Sequence, residues 1–103
     1  MEKNKTLNST FFTVYRKKGF CETIEILGNS KEKQMLEKEF YNKLKEKKIP
    51  LNYFYRSKED LINYTIISYN LDKNFNKIII LTEKGKKIYQ KLKLIEDLLQ
   101  KDL

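Results

Sequence analysis

The stretch Ile78-Ile79-Ile80-Leu81-Thr82-Glu83-Lys84-Gly85-Lys86-Lys87-Ile88 constrains this chain more than any other. It opens on a run of β-branched residues closed by Leu81, which favours an extended strand. Thr82 stops the run, and its hydroxyl suits the orphan N–H groups at the start of a new helix. Gly85 and basic residues then follow at the head of an amphipathic segment. Upstream, Ile66 to Leu71 is a second strand-forming run, separated from Lys77 to Leu81 by Asp72-Lys73-Asn74-Phe75-Asn76. Turn residues between two such runs predict a β-hairpin, and here its outgoing strand passes directly into a helix.

The residues before the hairpin read mainly as helices. Phe11 to Tyr15 is aromatic and β-branched enough for a short first strand, ended by the basic turn Arg16-Lys17-Lys18-Gly19. Phe20, Ile24 and Leu27 then share one face at helical spacing, with Cys21 beside them. Gly28 is placed to end this first helix in the left-handed conformation, and Asn29 or Ser30 to cap the next. A second helix is expected from Lys31 to Lys47, burying Met35, Leu36, Phe40 and Leu44. Pro50 disfavours helical geometry at the residue before it, so Lys48-Ile49-Pro50 is a break and a third helix follows from Leu51 to Tyr64. The last helix covers Glu83 to Leu103. The fold class is α+β and mainly helical, in the order strand, three helices, hairpin, long helix. Residues 1–10 read as a flexible lead-in, 11–81 as the domain, and 82–103 as a closing helix.

Composition narrows the chemistry. A chain of 103 residues and 12.5 kDa fits one domain, and a net charge of +8 favours a polyanionic partner or a membrane surface. The basic residues are almost all Lys, Arg16 and Arg56 being the two Arg. With no His and the single Cys21, there is no intramolecular disulfide, no zinc spacing and no Ser-His or Cys-His nucleophile. Cys21 reads as a small core hydrophobe. No catalytic residue, metal site or cofactor is expected. The first ten residues lack an apolar signal core, and no apolar run approaches the roughly 20 residues of a spanning helix. A cytoplasmic setting with no membrane partner is the expectation.

Leu81-Thr82-Glu83-Lys84-Gly85 closely resembles the L-T-x-K-G signature of MarR-, PadR- and HxlR-like regulators and of small archaeal winged-helix proteins. Leu61-Ile62-Asn63-Tyr64-Thr65-Ile66-Ile67 resembles the L-x-x-x-G-L-I that leads from their recognition helix into the wing, with Thr65 at the Gly position. Two further departures are Pro50, where a capping Ser is common, and Lys58, at a usually apolar position, where its stem must snorkel or the helix rotate. The resemblance implies a winged helix-turn-helix and sequence-specific binding of double-stranded DNA by a transcriptional regulator. A protein-interaction module or a non-specific architectural nucleic-acid binder on the same fold are the alternatives.

In such a protein the third helix enters the major groove. At about 100° per residue, Phe54 and Leu61 define its buried face, with Leu51 and Ile62 beside them. Asn52, Arg56, Glu59 and Asn63 then point outward and Tyr53 and Tyr55 flank them. Asn52, Tyr53, Tyr55 and Arg56 are the base-reading candidates, with Ser57 weaker. At the hairpin tip Lys73, Asn74, Asn76 and Lys77 are placed for phosphate or minor-groove contact, and Lys17, Lys18, Lys45, Lys47 and Lys48 are available for further phosphates. The last helix is longer than a small domain covers. Its seam Ile88, Leu92, Ile95, Leu99, widened by Tyr89 and Leu98, suits a dimer interface. The helix begins basic and ends acidic, so antiparallel pairing of two copies sets opposite charges together. The expected assembly is a homodimer, with no small-molecule effector.

Overall fold

A computed structural model describes residues 11–101. The expectation for residues 1–10 and the end of the last helix lie outside the described residues. The elements run α1 (Phe11–Tyr15), α2 (Phe20–Asn29), β1 (Gln34–Leu36), α3 (Glu37–Glu46), α4 (Leu51–Asn63), β2 (Ile67–Leu71), β3 (Lys77–Leu81) and α5 (Glu83–Lys101). The fold is α+β and mainly helical, with one three-stranded antiparallel sheet in the order β1-β3-β2. No helix among the described residues is long and apolar enough to cross a membrane.

The core is built where α2, α3 and α4 cover one side of the sheet. Phe20, Ile24 and Leu27 from α2 meet Phe40 and Leu44 from α3, Phe54 and Leu61 from α4, and Ile67, Ile79 and Leu81 from the strands. The Phe40 and Phe54 rings meet edge to face with centroids 4.9 Å apart, the favoured arrangement for two aromatic quadrupoles. Burying these side chains is the main favourable term in folding.

Two expected elements differ. Phe11 to Tyr15 is a short helix, not a strand. Backbone bonds from Lys17 N–H to Val14 O (3.0 Å) and Phe20 N–H to Lys17 O (3.2 Å) fold the chain back, and Val14 is buried against the core. β3 has no edge left for such a strand, because β1 and β2 take both. The helix expected from Lys31 to Lys47 is instead two elements. Lys33 takes a left-handed φ of 60°, and Gln34, Met35 and Leu36 pair with Ile80, Ile79 and Ile78 before α3 begins. Leu81 N–H bonds Lys33 O at 2.9 Å and prolongs the ladder. Met35 and Leu36 are therefore strand residues.

Two helices end alike, in the turn where a left-handed residue lets the chain reverse and the next N–H reach back six residues inclusive. Ile49 N–H bonds Leu44 O (2.9 Å) beyond Lys48 (φ 59°), and Ile66 N–H bonds Leu61 O (2.8 Å) beyond Thr65 (φ 57°). Thr65 thus adopts the conformation that Gly takes at this point of the resembled motif, at a cost of about 1–2 kcal/mol for an L residue. α2 ends differently from expectation. Gly28 lies inside the helix, buried, and the chain leaves at Ser30, whose hydroxyl donates to Leu27 O at 2.8 Å. Gly28 is needed for close approach: a Cβ there would stand 2.6 Å or less from three carbons of the Tyr89 ring on α5.

The β3–α5 junction explains the opening motif physically. Thr82 Oγ1 accepts Gly85 N–H at 3.0 Å and lies 3.0 Å from Ile66 O and 2.5 Å from Thr65 O, so one hydroxyl caps α5 and ties it to the exit of α4. Gly85 lies against Ile66 O and Leu81, where any Cβ would stand 2.6 Å from Leu81 Cδ1.

Candidate nucleic-acid interface

The open face of α4 is bounded on both sides. Its buried stripe is Phe54, Ser57 and Leu61; Asn52, Tyr55, Arg56, Glu59 and Asn63 are exposed. Leu51 and Ile62, expected beside the core, are exposed as well. On one flank the turn after α1 closes in. Lys17 pairs with Asp60 at 2.6 Å, and Lys18 Nζ stands 3.4 Å from the Tyr53 hydroxyl and 5.1 Å from the centre of its ring. On the other flank Lys58 and Ile62 face Tyr69, Asn70, Leu71 and Lys77 of the hairpin across a groove of about 460 Å³. The face therefore lies between a basic turn and the hairpin, with exposed Lys45 at the end of α3 and exposed Lys47 and Lys48 in the turn that follows.

These contacts sort the candidate residues. Asn52, Tyr55 and Arg56 are exposed together on the open face, Tyr55 and Arg56 three and four residues beyond Asn52 along the helix. Tyr53 is half-buried and held by Lys18 at the flank. Ser57 is fully buried, and its hydroxyl stands 3.2 Å from Phe54 O and 3.3 Å from Tyr53 O, so it belongs to the core and reads nothing. A small polar residue fits there because the hydroxyl satisfies itself on its own helix. Lys17 and Lys18 likewise have partners inside the protein. The Asp60 pairing also holds the Lys17 ammonium above its ordinary pKa and offsets one carboxylate of α4.

Lys58 is half-buried. Its stem lies over the domain edge with Nζ 5.1 Å from the Tyr69 ring centre and 5.8 Å from that of Phe54, the snorkelled position with cation–π attraction. Beside it, Tyr41, Tyr55 and Tyr69 gather near Glu37 at the start of α3. Burial first, then the Tyr55 hydroxyl and Glu37, hold the Tyr41 phenol far above its ordinary range. Burial first, then the Glu37 carboxylate, do the same to Tyr69. Both phenols stay protonated at neutral pH.

The hairpin tip is locked by Asp72. Its carboxylate accepts the N–H of Asn74 (2.8 Å) and of Asn76 (2.9 Å) and the Asn76 side-chain amide (3.2 Å), which hold its pKa below the ordinary carboxylate range. Phe75 N–H bonds Asp72 O and Asp72 N–H bonds Asn76 O, both at 3.0 Å. Lys73, Asn74, Asn76 and Lys77 are all exposed, and the Asn76 side-chain amide also donates to Asp72 within the loop. Sequence reasoning passed over Phe75, which is 79 % exposed with φ 64°.

The α5 seam divides in two. Ile88, Tyr89 and Leu92 pack on the core, and Tyr89 donates to Asn29, whereas Leu94, Ile95 (49 % exposed), Leu98 and Leu99 (67 % exposed) face outward. Ile95 and Leu99 line one wall of a groove of about 770 Å³, opposite Tyr15, Cys21, Ile24 and Glu25. Burial raises the Cys21 thiol pKa more than the Tyr15 hydroxyl lowers it, which favours the protonated thiol.

No protein-family model matches the chain, and a search of the curated proteins found no match either.

Proposed function

We propose that the chain is a winged helix-turn-helix protein that binds double-stranded DNA, with α3 and α4 as the helix-turn-helix and the β2–β3 hairpin as the wing. The observation that carries this reading is the open face of α4, with Asn52, Tyr55 and Arg56, standing beside a locked hairpin that carries Lys73 and Lys77. Arg56 pairs with guanine and Asn52 with adenine in the major groove, while the tip lysines neutralise phosphate. The protein acts by occupying DNA, as a transcriptional regulator does, and performs no chemistry on it.

Two copies join through the outer half of α5. That helix has 19 residues, about 28 Å, and its packed half ends near Leu92. Lys84, Lys86, Lys87, Lys91 and Lys93 precede Glu96 and Asp97, so an antiparallel partner helix brings unlike charges together while Ile95 and Leu99 are covered. A dimer presents two α4 helices to two half-sites about one turn of DNA apart.

The test is a binding series against duplex DNA and RNA across salt. The proposal expects duplex binding that weakens steeply with salt and depends on sequence. Arg56→Ala relaxes the sequence preference, and Lys73→Ala weakens all duplexes about equally. Absence of duplex binding at low salt contradicts the proposal and favours a protein-interaction module. Binding without sequence preference favours an architectural role.

A further inference from the structure

We infer that Phe75 is a wedge that enters the minor groove of duplex DNA, partly unstacks one base step and bends the duplex. The inference rests on the DNA-binding reading above and adds a contact and a consequence to it. Phe75 occupies the left-handed position that follows the tight turn of a short hairpin loop, a position such loops give to Gly. Asn tolerates that conformation better than Phe, and asparagines stand on both sides of it at 74 and 76. The backbone therefore has no reason for Phe here. Packing has none either, since the ring is the most exposed large hydrophobic side chain in the described structure.

Its surroundings say what the ring meets. Lys73 and Lys77 flank it in sequence, and the one carboxylate of the loop 72–76, Asp72, accepts three hydrogen bonds within that loop. Those same bonds hold the backbone of the tip in one shape, so presenting the ring costs little backbone ordering at the moment of binding. An apolar ring between two cations fits a polyanion whose apolar interior is reached from an edge, which describes stacked base pairs behind two rows of phosphate. Apolar side chains inserted from the minor groove kink duplexes in this way, and pyrimidine–purine steps yield most readily. A lipid surface also offers phosphate over an apolar layer. The neighbouring α4 exposes Asn52, Arg56, Glu59 and Asn63 alongside Leu51 and Ile62, so hydrogen-bonding groups for base edges stand next to the wedge and the lipid alternative is an arm of the test.

The experiment uses the full chain and duplexes that carry 2-aminopurine at a TA step and donor and acceptor dyes at their ends. Wild type is expected to raise 2-aminopurine emission and shorten the end-to-end distance on binding. Phe75→Asn, which suits the left-handed backbone, is expected to abolish both signals while the dissociation constant rises by less than about tenfold. Phe75→Leu, still an apolar wedge, is expected to keep part of both. Wild type binding without either signal, or equal bending by Phe75→Asn, overturns the wedge and leaves the DNA-binding reading intact. Failure of wild type to bind any duplex at low salt overturns both. Phe75-dependent binding to anionic phospholipid vesicles in place of duplex assigns the ring to a membrane and overturns the wedge.

Discussion

Gly28→Ala should destabilise the protein, and it should do the opposite once Tyr89 has been removed. Gly28 is helical and buried, so its replacement by Ala in isolation should stabilise α2 by about 0.8–1.0 kcal/mol through backbone entropy. The added Cβ, however, falls 2.6 Å or less from Cγ, Cδ1 and Cε1 of Tyr89. That ring cannot swing aside freely, because it packs on the core and its hydroxyl donates to Asn29. Overpacking of this kind costs about 1–3 kcal/mol, which outweighs the helix gain. The expected net loss is about 1 kcal/mol, or roughly 4–8 °C in Tm for a domain of this size. In a Tyr89→Ala background the obstacle is gone and Gly28→Ala should gain about 1 kcal/mol. The coupling between the two sites is then about 2 kcal/mol, as expected for residues in contact. Thermal denaturation of wild type, the two single variants and the double variant, followed by circular dichroism, measures it. Equal losses in both backgrounds would refute the claim that the α2–α5 contact is what requires Gly28.

Other consequences are as direct. Thr65→Gly should stabilise by up to about 1 kcal/mol, the relief of a left-handed L residue less the entropy that Gly adds to the unfolded chain; a Tm below wild type would mean that the Thr65 backbone is unstrained. The folded-state pKa of Asp72 is depressed, so its contribution is present above the unfolded value of about 3.9 and lost as pH falls through the lower folded one. The amide signals of Asn74 and Asn76 should titrate together in that window, and separate midpoints would contradict the locked tip. Ile95→Asp with Leu99→Asp should leave a folded chain of 12.5 kDa by light scattering, where the proposed dimer predicts twice that mass for wild type. A wild-type mass of one chain at high micromolar concentration removes the dimer.

Local signals made much of the fold readable. The hairpin strands, α4 and the passage from β3 into α5 rest on β-branched runs, turn residues, Pro50 and the Thr82 cap, all of which act within a few residues. β1 was unreadable for the converse reason. Met35, Leu36, Phe40 and Leu44 have helical spacing, and what draws Gln34 to Leu36 into a strand is β3, more than 40 residues away. Phe11 to Tyr15 has strand-forming side chains, but both edges of β3 are already taken. Gly28 looked like a helix stop because its true reason, the Tyr89 ring, lies across the domain.

The candidate site divides along the same line. Helical periodicity alone brought Asn52 and Arg56 to the open face of α4. That Ser57 turns into the core, Lys17 pairs with Asp60 and Lys18 holds Tyr53 depends on packing between elements. Phe75 was hidden among polar turn residues, and its left-handed backbone is a property of the closed loop.

The central claim is that α4 and the hairpin tip form one surface for duplex DNA. It is tested most directly by titrating isotope-labelled protein with duplex and following every backbone amide by NMR. The account predicts that the largest shifts fall on Asn52, Tyr55, Arg56, Lys73, Asn74, Phe75 and Lys77, with the outer half of α5 unaffected. Shifts confined to α5 and the groove beside it, or no shifts at low salt, would contradict it.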